Sequence, residues 1–240
     1  MLSNSTALIE SYNSRFQEFC ELDFLTASDI KSSLDLFDPL VASTYPCPKK
    51  LDVIAIISGR PFDQTVINAI SPIKMRISHI LKDTPHYLVK DGNLAVEYCV
   101  LKWHYSPYSK ILDPLLDINS ISFFPKIFHL NLHGIQVHQD GSIILRTIDP
   151  KLEVRKFRQN IVDNFDGLPV KQSQWAHIPL GRILSPITTE IKLALQSYCF
   201  ELIMKPQIKQ LMVDTISLVH EHQWYMESVS YLWQQSLRDK

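Results

Sequence analysis

Leu8, Tyr12, Phe16 and Phe19 recur at steps of four, four and three behind Asn4 and Ser5, two residue types that cap helices, so the spacing predicts an amphipathic helix near the start of the chain. Pro46-Cys47-Pro48 ends any helix there. Residues 1–50 thus read as a helical extension ahead of a domain covering residues 51–240. From Leu51 to Ile57 the pattern changes to an unbroken β-branched and aliphatic run that stops at Ser58-Gly59, which predicts a buried strand. Val66, Ile70, Ile73, Ile77 and Leu81 then mark a helix over 63–81 with one buried face, perturbed at Pro72. Two strands follow, His86 to Val89 and Leu94 to Trp103, separated by the tight-turn composition Lys90-Asp91-Gly92-Asn93.

After a linker containing Pro107 and Pro114 the order returns in outline. Ile127 to Val137 and Ser142 to Ile148 are predicted strands joined through Asp140-Gly141, a hairpin signal. Lys151 to Phe165 is a predicted helix ended by Asp166-Gly167; Val154, Phe157 and Ile161 face inward, and Lys151, Arg155, Lys156 and Arg158 face outward. Trp175 to Leu184 is a strand, and a helix is predicted from Ser185 and Pro186 through Leu202. Lys209 to Glu221 and Trp224 to Gln234 are the last two strands. Two comparable halves without regular βαβα alternation indicate an α+β fold rich in antiparallel sheet.

Composition narrows the function. With 24 Lys+Arg against 25 Asp+Glu the net charge is −1, which argues against tight nonspecific nucleic-acid binding. The longest apolar runs are short or interrupted, so no membrane span is expected. Cys20, Cys47, Cys99 and Cys199 have no zinc-type spacing, and the simplest reading is a cytoplasmic protein with reduced thiols and no metal or other cofactor. Walker, Rossmann, GxSxG and HExxH motifs are all missing.

The segment Trp175-Ala176-His177-Ile178-Pro179-Leu180-Gly181-Arg182 resembles the second motif of the two-histidine phosphoesterase superfamily, the LigT-like group, whose His-x-Thr or His-x-Ser is often followed by Leu-Gly-Arg. The hairpin and helix ahead of it are similar to that family's order of elements. Counted back along the chain, the family's first motif falls on Asn93-Leu94-Ala95-Val96-Glu97-Tyr98, with Ala95 at the histidine position and Glu97 at the hydroxyl position. The resemblance implies a two-lobed, pseudo-symmetric fold with a central groove. In active members two histidines act as general base and general acid across the groove, without a metal. Here only His177 is retained, and Pro179 replaces the second hydroxyl.

Strand alternation places Ala95, Glu97 and Cys99 on one face, so Glu97 is the candidate partner of His177 in catalysis. Candidate substrate contacts are Arg182, Tyr98, Trp103 and His104; Trp103-His104-Tyr105 could stack on a base at the groove mouth. Strict alternation puts Arg182 on the face opposite His177, where a structural salt bridge competes with phosphate contact. His129, His133 and His138 read as a wet outer sheet face, as does His220-Glu221-His222. Two functional classes stay open. One is a metal-independent cyclic phosphodiesterase acting on RNA ends or small nucleotides with impaired or altered catalysis. The other is a catalytically inactive member that binds a nucleotide, RNA end or protein in the groove.

Overall fold

In a computed structural model of the chain, residues 5–39, 45–104, 126–164, 168–169, 172–173, 175–204 and 210–237 are described. The predicted ends of the 151–165 helix at Phe165 to Gly167, the prolines of the central linker, Tyr105 and Lys209 lie outside these residues. Helix α1 (Ser5–Glu21) and a single turn, α2 (Lys31–Leu34), precede strand β1 (Lys50–Gly59). Helix α3 (Gln64–Ile80), β2 (His86–Leu88) and β3 (Ala95–Lys102) complete the first half. The second half comprises β4 (Phe128–Val137), β5 (Ser142–Ile148), α4 (Glu153–Asn164), β6 (Ile178–Ile183) and α5 (Thr189–Met204). Strands β7 (Gln210–Val213), β8 (Thr215–Gln223) and β9 (Ser228–Ser236) close the chain. No described helix is long and apolar enough to cross a membrane.

The strands form two antiparallel sheets, ordered β3-β1-β8-β9 and β2-β6-β5-β4-β7. The expected turn at residues 90–93 is a 3₁₀ turn over Asp91–Asn93, and it does not make a hairpin: β2 pairs with β6 while β3 pairs with β1. The single strand expected over 209–221 is two strands, broken at Asp214, with β7 beside β4 and β8 in the middle of the other sheet. The first half therefore lends one strand, β2, to the second sheet, and the C-terminal end lends two, β8 and β9, to the first.

Helix α3 forms where expected because the Asp63 side chain accepts hydrogen bonds from the N–H groups of Thr65 and Val66, and Val66, Ile70, Ile73 and Ile77 bury one stripe. Pro72 is tolerated inside it because that face is exposed, leaving the freed carbonyl to solvent. Helix α5 starts at Thr189, later than the predicted Ser185, because Ile187 is held in an antiparallel bridge with Leu25. Gly134 interrupts the β4–β5 register at φ +81°, and a Cβ there would come within 2.9 Å of the Ile203 backbone in α5, so both the bulge and the helix packing require glycine.

Residues ahead of β1 are built into the main core. Phe16, Phe19, Leu25, Ile30 and Phe37 belong to the same buried cluster as Ile56, Ile70, Leu180 and Leu195. The first half of α1 does something different: Leu8 and Tyr12 pack with Ile144 of β5 and with Trp175 as a separate cluster. They cover the face of the five-stranded sheet turned away from the main core.

Candidate functional site

Registers decide which side chains share a face, and two bulges correct the simple alternation. On β3, Glu97 lies opposite Ile57 and Ala95 opposite Gly59, but Cys99 lies opposite Ile56 because the register slips between Ile56 and Ile57. Ala95 and Glu97 therefore stand on the face that carries Val53, Ala55, Ile57 and Val219, while Cys99 turns into the main core, contrary to expectation. On β6, Pro179 lies opposite Ile144 and Arg182 opposite Ser142 across a second slip. Arg182 thus shares the face of Pro179 and His177 rather than opposing it.

This second-lobe face carries His177, Pro179 and Arg182 from the β6 segment, Ile144 and Arg146 from β5, Gln136 from β4 and His138 just beyond it. His129 is exposed at one end of β4, as a wet outer face requires, but toward His138 that face is covered by Trp175 and the first half of α1, contrary to expectation. The Trp175 ring stands edge-on to His177 at 5.9 Å and to His138 at 5.5 Å, and tilted against Tyr12 at 4.8 Å. Burial, reinforced by His138, Arg158 and Arg182, holds the His177 imidazole down to about 3. It is neutral at physiological pH, and its enclosed Nδ1 has no hydrogen-bond partner among the described residues.

Arg158 joins the two motif segments. Its guanidinium donates to the carbonyls of Tyr98, of Glu97 at 3.3 Å and of Trp175 at 3.3 Å. The expectation that Arg158 lies on the outer face of its helix is corrected: it is 8% exposed. Its position four residues after Val154 and three before Ile161 puts it on their stripe, a signal the sequence already held. Burial raises the Glu97 carboxyl above the usual carboxylate range, while Arg158 works in the opposite direction.

The remaining candidates separate. Tyr98 is fully buried in the main core, edge-on to Phe128 and Phe157, so it cannot contact a groove ligand. Trp103 is half-buried on the Glu97 face, edge-on to Trp224 at 5.9 Å, and His104 is exposed just beyond β3. Arg182 makes a salt bridge to Asp140 at 2.9 Å, donates to Ser33 Oγ at 2.9 Å and to the Tyr225 hydroxyl at 2.7 Å. His220 and His222 do share one face, with Asp52 and Ser230 as respective partners. Glu221 points the other way and is buried.

Glu221 stands on the Glu97 side of the four-stranded sheet and accepts the N–H of Met226 at 2.8 Å. That bond holds a turn in which Tyr225 and Met226 have φ of 60° and 54°. Burial, helped by Glu97 and opposed by the Met226 N–H and Arg60, pushes its carboxyl up to about 7. A carboxyl raised in the folded state binds a proton that the unfolded chain has released, so its contribution falls as pH rises from the ordinary carboxylate range to about 7. His177 and His138, held near 3 and 4, act in the opposite sense, losing stability as pH falls below the ordinary histidine value. Glu221→Gln keeps the acceptor and removes the titration. Relative to wild type, it should gain about 1–3 kcal/mol between pH 4.5 and 8 in denaturant unfolding, and an unchanged difference across that range would refute the assignment.

No protein-family model matches the sequence, and no curated protein matches it. Solved structures do match in fold. TT0787 of Thermus thermophilus superposes with a TM-score of 0.54 at 12% identity, covering 78% of this chain and 98% of that one. Apo LigT of E. coli gives 0.52 at 12% identity, over 80% of this chain and all of LigT (100%). Usb1 of Kluyveromyces marxianus gives 0.51 at 9% identity, over 77% and 99% respectively. All three are two-histidine phosphoesterase superfamily proteins, and this chain has their fold: two lobes of helix and antiparallel sheet around a central groove.

Proposed function

We propose that the chain uses this groove to bind a phosphate-bearing ligand, a nucleotide or an RNA end, without hydrolysing it. The reading is supported by Ala95, which stands among Val53, Ala55 and Ile57 on the Glu97 face, at the position where the sequence resemblance puts the family's first histidine. General acid–base catalysis requires two groups on opposite sides of phosphorus, and losing one is typically worth about 10²–10⁴ in rate. Binding has support that catalysis lacks. His177 is neutral and lies in the field of Arg158, which has no ion-pair partner among the described residues and whose positive charge favours an anion.

Glu97 favours a second reading. Its carboxyl is raised by burial toward the protonated form, which can donate a proton, and neutral His177 can accept one. A panel of 2′,3′-cyclic nucleotides separates the two. Binding without turnover predicts calorimetric binding that His177→Ala weakens, with hydrolysis at the same background rate in wild type, His177→Ala and Glu97→Gln. Hydrolysis by wild type that both substitutions reduce about 10²-fold or more would establish the Glu97–His177 pair instead. Neither binding nor hydrolysis anywhere in the panel would exclude this ligand class.

A further inference from the structure

Arg146 is the largest fully buried side chain among the described residues, and neither its Nε nor its Nη1 has a hydrogen-bond partner there. It sits on β5 next to Leu145, which lies opposite Ile178 and faces the main core, so Arg146 projects from the same face of the sheet as His177. Its hydrogen bond and its ring contact both come from α1. Nη2 donates to Asn13 Oδ1 at 2.8 Å, and the guanidinium carbon lies 5.1 Å from the centre of the Tyr12 ring. These contacts replace an anion poorly: a cation–π contact is worth about 0.5–2 kcal/mol, against several kcal/mol for withdrawing a charge from water. Burial accordingly pulls the Arg146 guanidinium below its ordinary value.

The other charges nearby are already matched. Arg182 is paired with Asp140, Arg15 with Glu18 at 3.0 Å, and Asp29 accepts from Thr26 at 2.7 Å. Arg146 is left with two unused donors and no carboxylate partner among the described residues. A cleft of about 770 Å³ opens alongside α1, with Ser11, Arg15, His138 and Trp175 in its lining together with Glu18, Asp29 and Asp140. Trp175 and His138 belong both to this cleft and to the surroundings of His177. The two halves of α1 also differ in anchorage: Phe16 and Phe19 sit in the main core, whereas Leu8 and Tyr12 pack outside it on Ile144 and Trp175, with the Tyr12 ring over Arg146 and its hydroxyl accepting the Thr147 N–H at 3.5 Å.

We propose that residues 5–13 of α1 form a lid seated on an anion site of the second lobe, and that a phosphate group held by Arg146 takes the place of Tyr12 and Asn13. The inference rests on the binding reading above and supplies its regulation, because the groove becomes fully available only when the lid lifts. A ligand that must displace a lid binds with an affinity reduced by the fraction of open protein, so loosening the lid strengthens binding.

The test uses the full chain, with inorganic phosphate and adenosine monophosphate as probes, calorimetry for affinity and hydrogen–deuterium exchange for the lid. Tyr12→Ala should bind phosphate about tenfold or more tightly than wild type. Saturating phosphate should speed exchange over residues 5–13 of wild type and leave α3 unchanged. Arg146→Gln should abolish phosphate binding in both backgrounds. Should Tyr12→Ala fail to fold, Ser11→Ala/Asn13→Ala removes only the hydrogen bonds to Trp175 and Arg146 and should give a two- to threefold gain.

Equal affinities for wild type and the lid variants, or full binding by Arg146→Gln, overturns the inference. If binding is then lost with His177→Ala, the groove reading survives alone. Binding that needs Arg146 and is indifferent to His177 supports the lid and overturns the groove reading, and no binding by any variant overturns both.

Discussion

Gly181→Ala should lower stability by about 3–5 kcal/mol, enough to cost roughly 10 °C in midpoint temperature for a chain of this size. A Cβ on Gly181 would lie 2.2 Å from the carbonyl oxygen of Tyr87 and 2.9 Å from Leu88 Cδ2. The first of these is backbone of β2, the strand paired directly with β6, so no rotamer change relieves it. To admit the methyl group β2 must move, and β2, although the edge strand of its sheet, is anchored. The fully buried Tyr87 ring packs on Phe37 and Tyr225, and its hydroxyl donates to Glu227. Val89 and Leu184 add backbone bonds that fasten the same crossing, to Leu180 and Pro85. The displacement therefore spreads from the second lobe to the 224–227 turn, which links β8 and β9 of the other sheet. Thermal unfolding followed by circular dichroism reads the effect, and a loss below about 2 °C would show that β2 yields without cost. The glycine of Leu-Gly-Arg thus has a packing role, two positions from Pro179 and on the opposite face of the sheet from His177.

The elements were legible wherever a local period had no competitor. Helix α3 repeats its apolar stripe and begins at a capping aspartate, so sequence and structure agree to within a residue. Side-chain direction near the site was less legible, because it depends on two slips of register, at Tyr98-Cys99 and at Leu180, that no periodicity announces. Each turns one residue against strict alternation: Cys99 into the core and Arg182 onto the His177 face. The strand exchange between lobes was also hidden, since Lys90 to Asn93 and Asp214 look like ordinary breaks and only pairing shows that the chain changes sheets there. The covering of the second lobe by α1 follows from Leu8 and Tyr12 finding Ile144 and Trp175, a long-range match that an amphipathic pattern implies without naming its target. Arg146, one charge inside an otherwise apolar or small-polar strand, was the sequence signal for that face.

Arg158→Met should lower stability by about 3–4 kcal/mol, because methionine fills similar space and donates nothing. Three carbonyls lose a charged donor at once: two on the strand carrying Ala95 and Glu97, and one two residues ahead of His177. Arg158→Lys should recover only part of the loss, since a single ammonium cannot span three acceptors that a planar fork reaches together. The charge has a second effect that a purely structural residue would not show. Arg158 depresses both the Glu97 carboxyl and the His177 imidazole, so in the methionine variant both should titrate higher. His177 is the better reporter, as it rises from about 3 toward the ordinary histidine value while burial, His138 and Arg182 still hold it down. Proton NMR of the His177 ring across pH 3–7, on protein verified as folded, gives that value. An unmoved His177 in a destabilised variant would reduce Arg158 to a brace between strands, whereas a coupled rise makes it the residue that sets both the spacing and the charge of the groove.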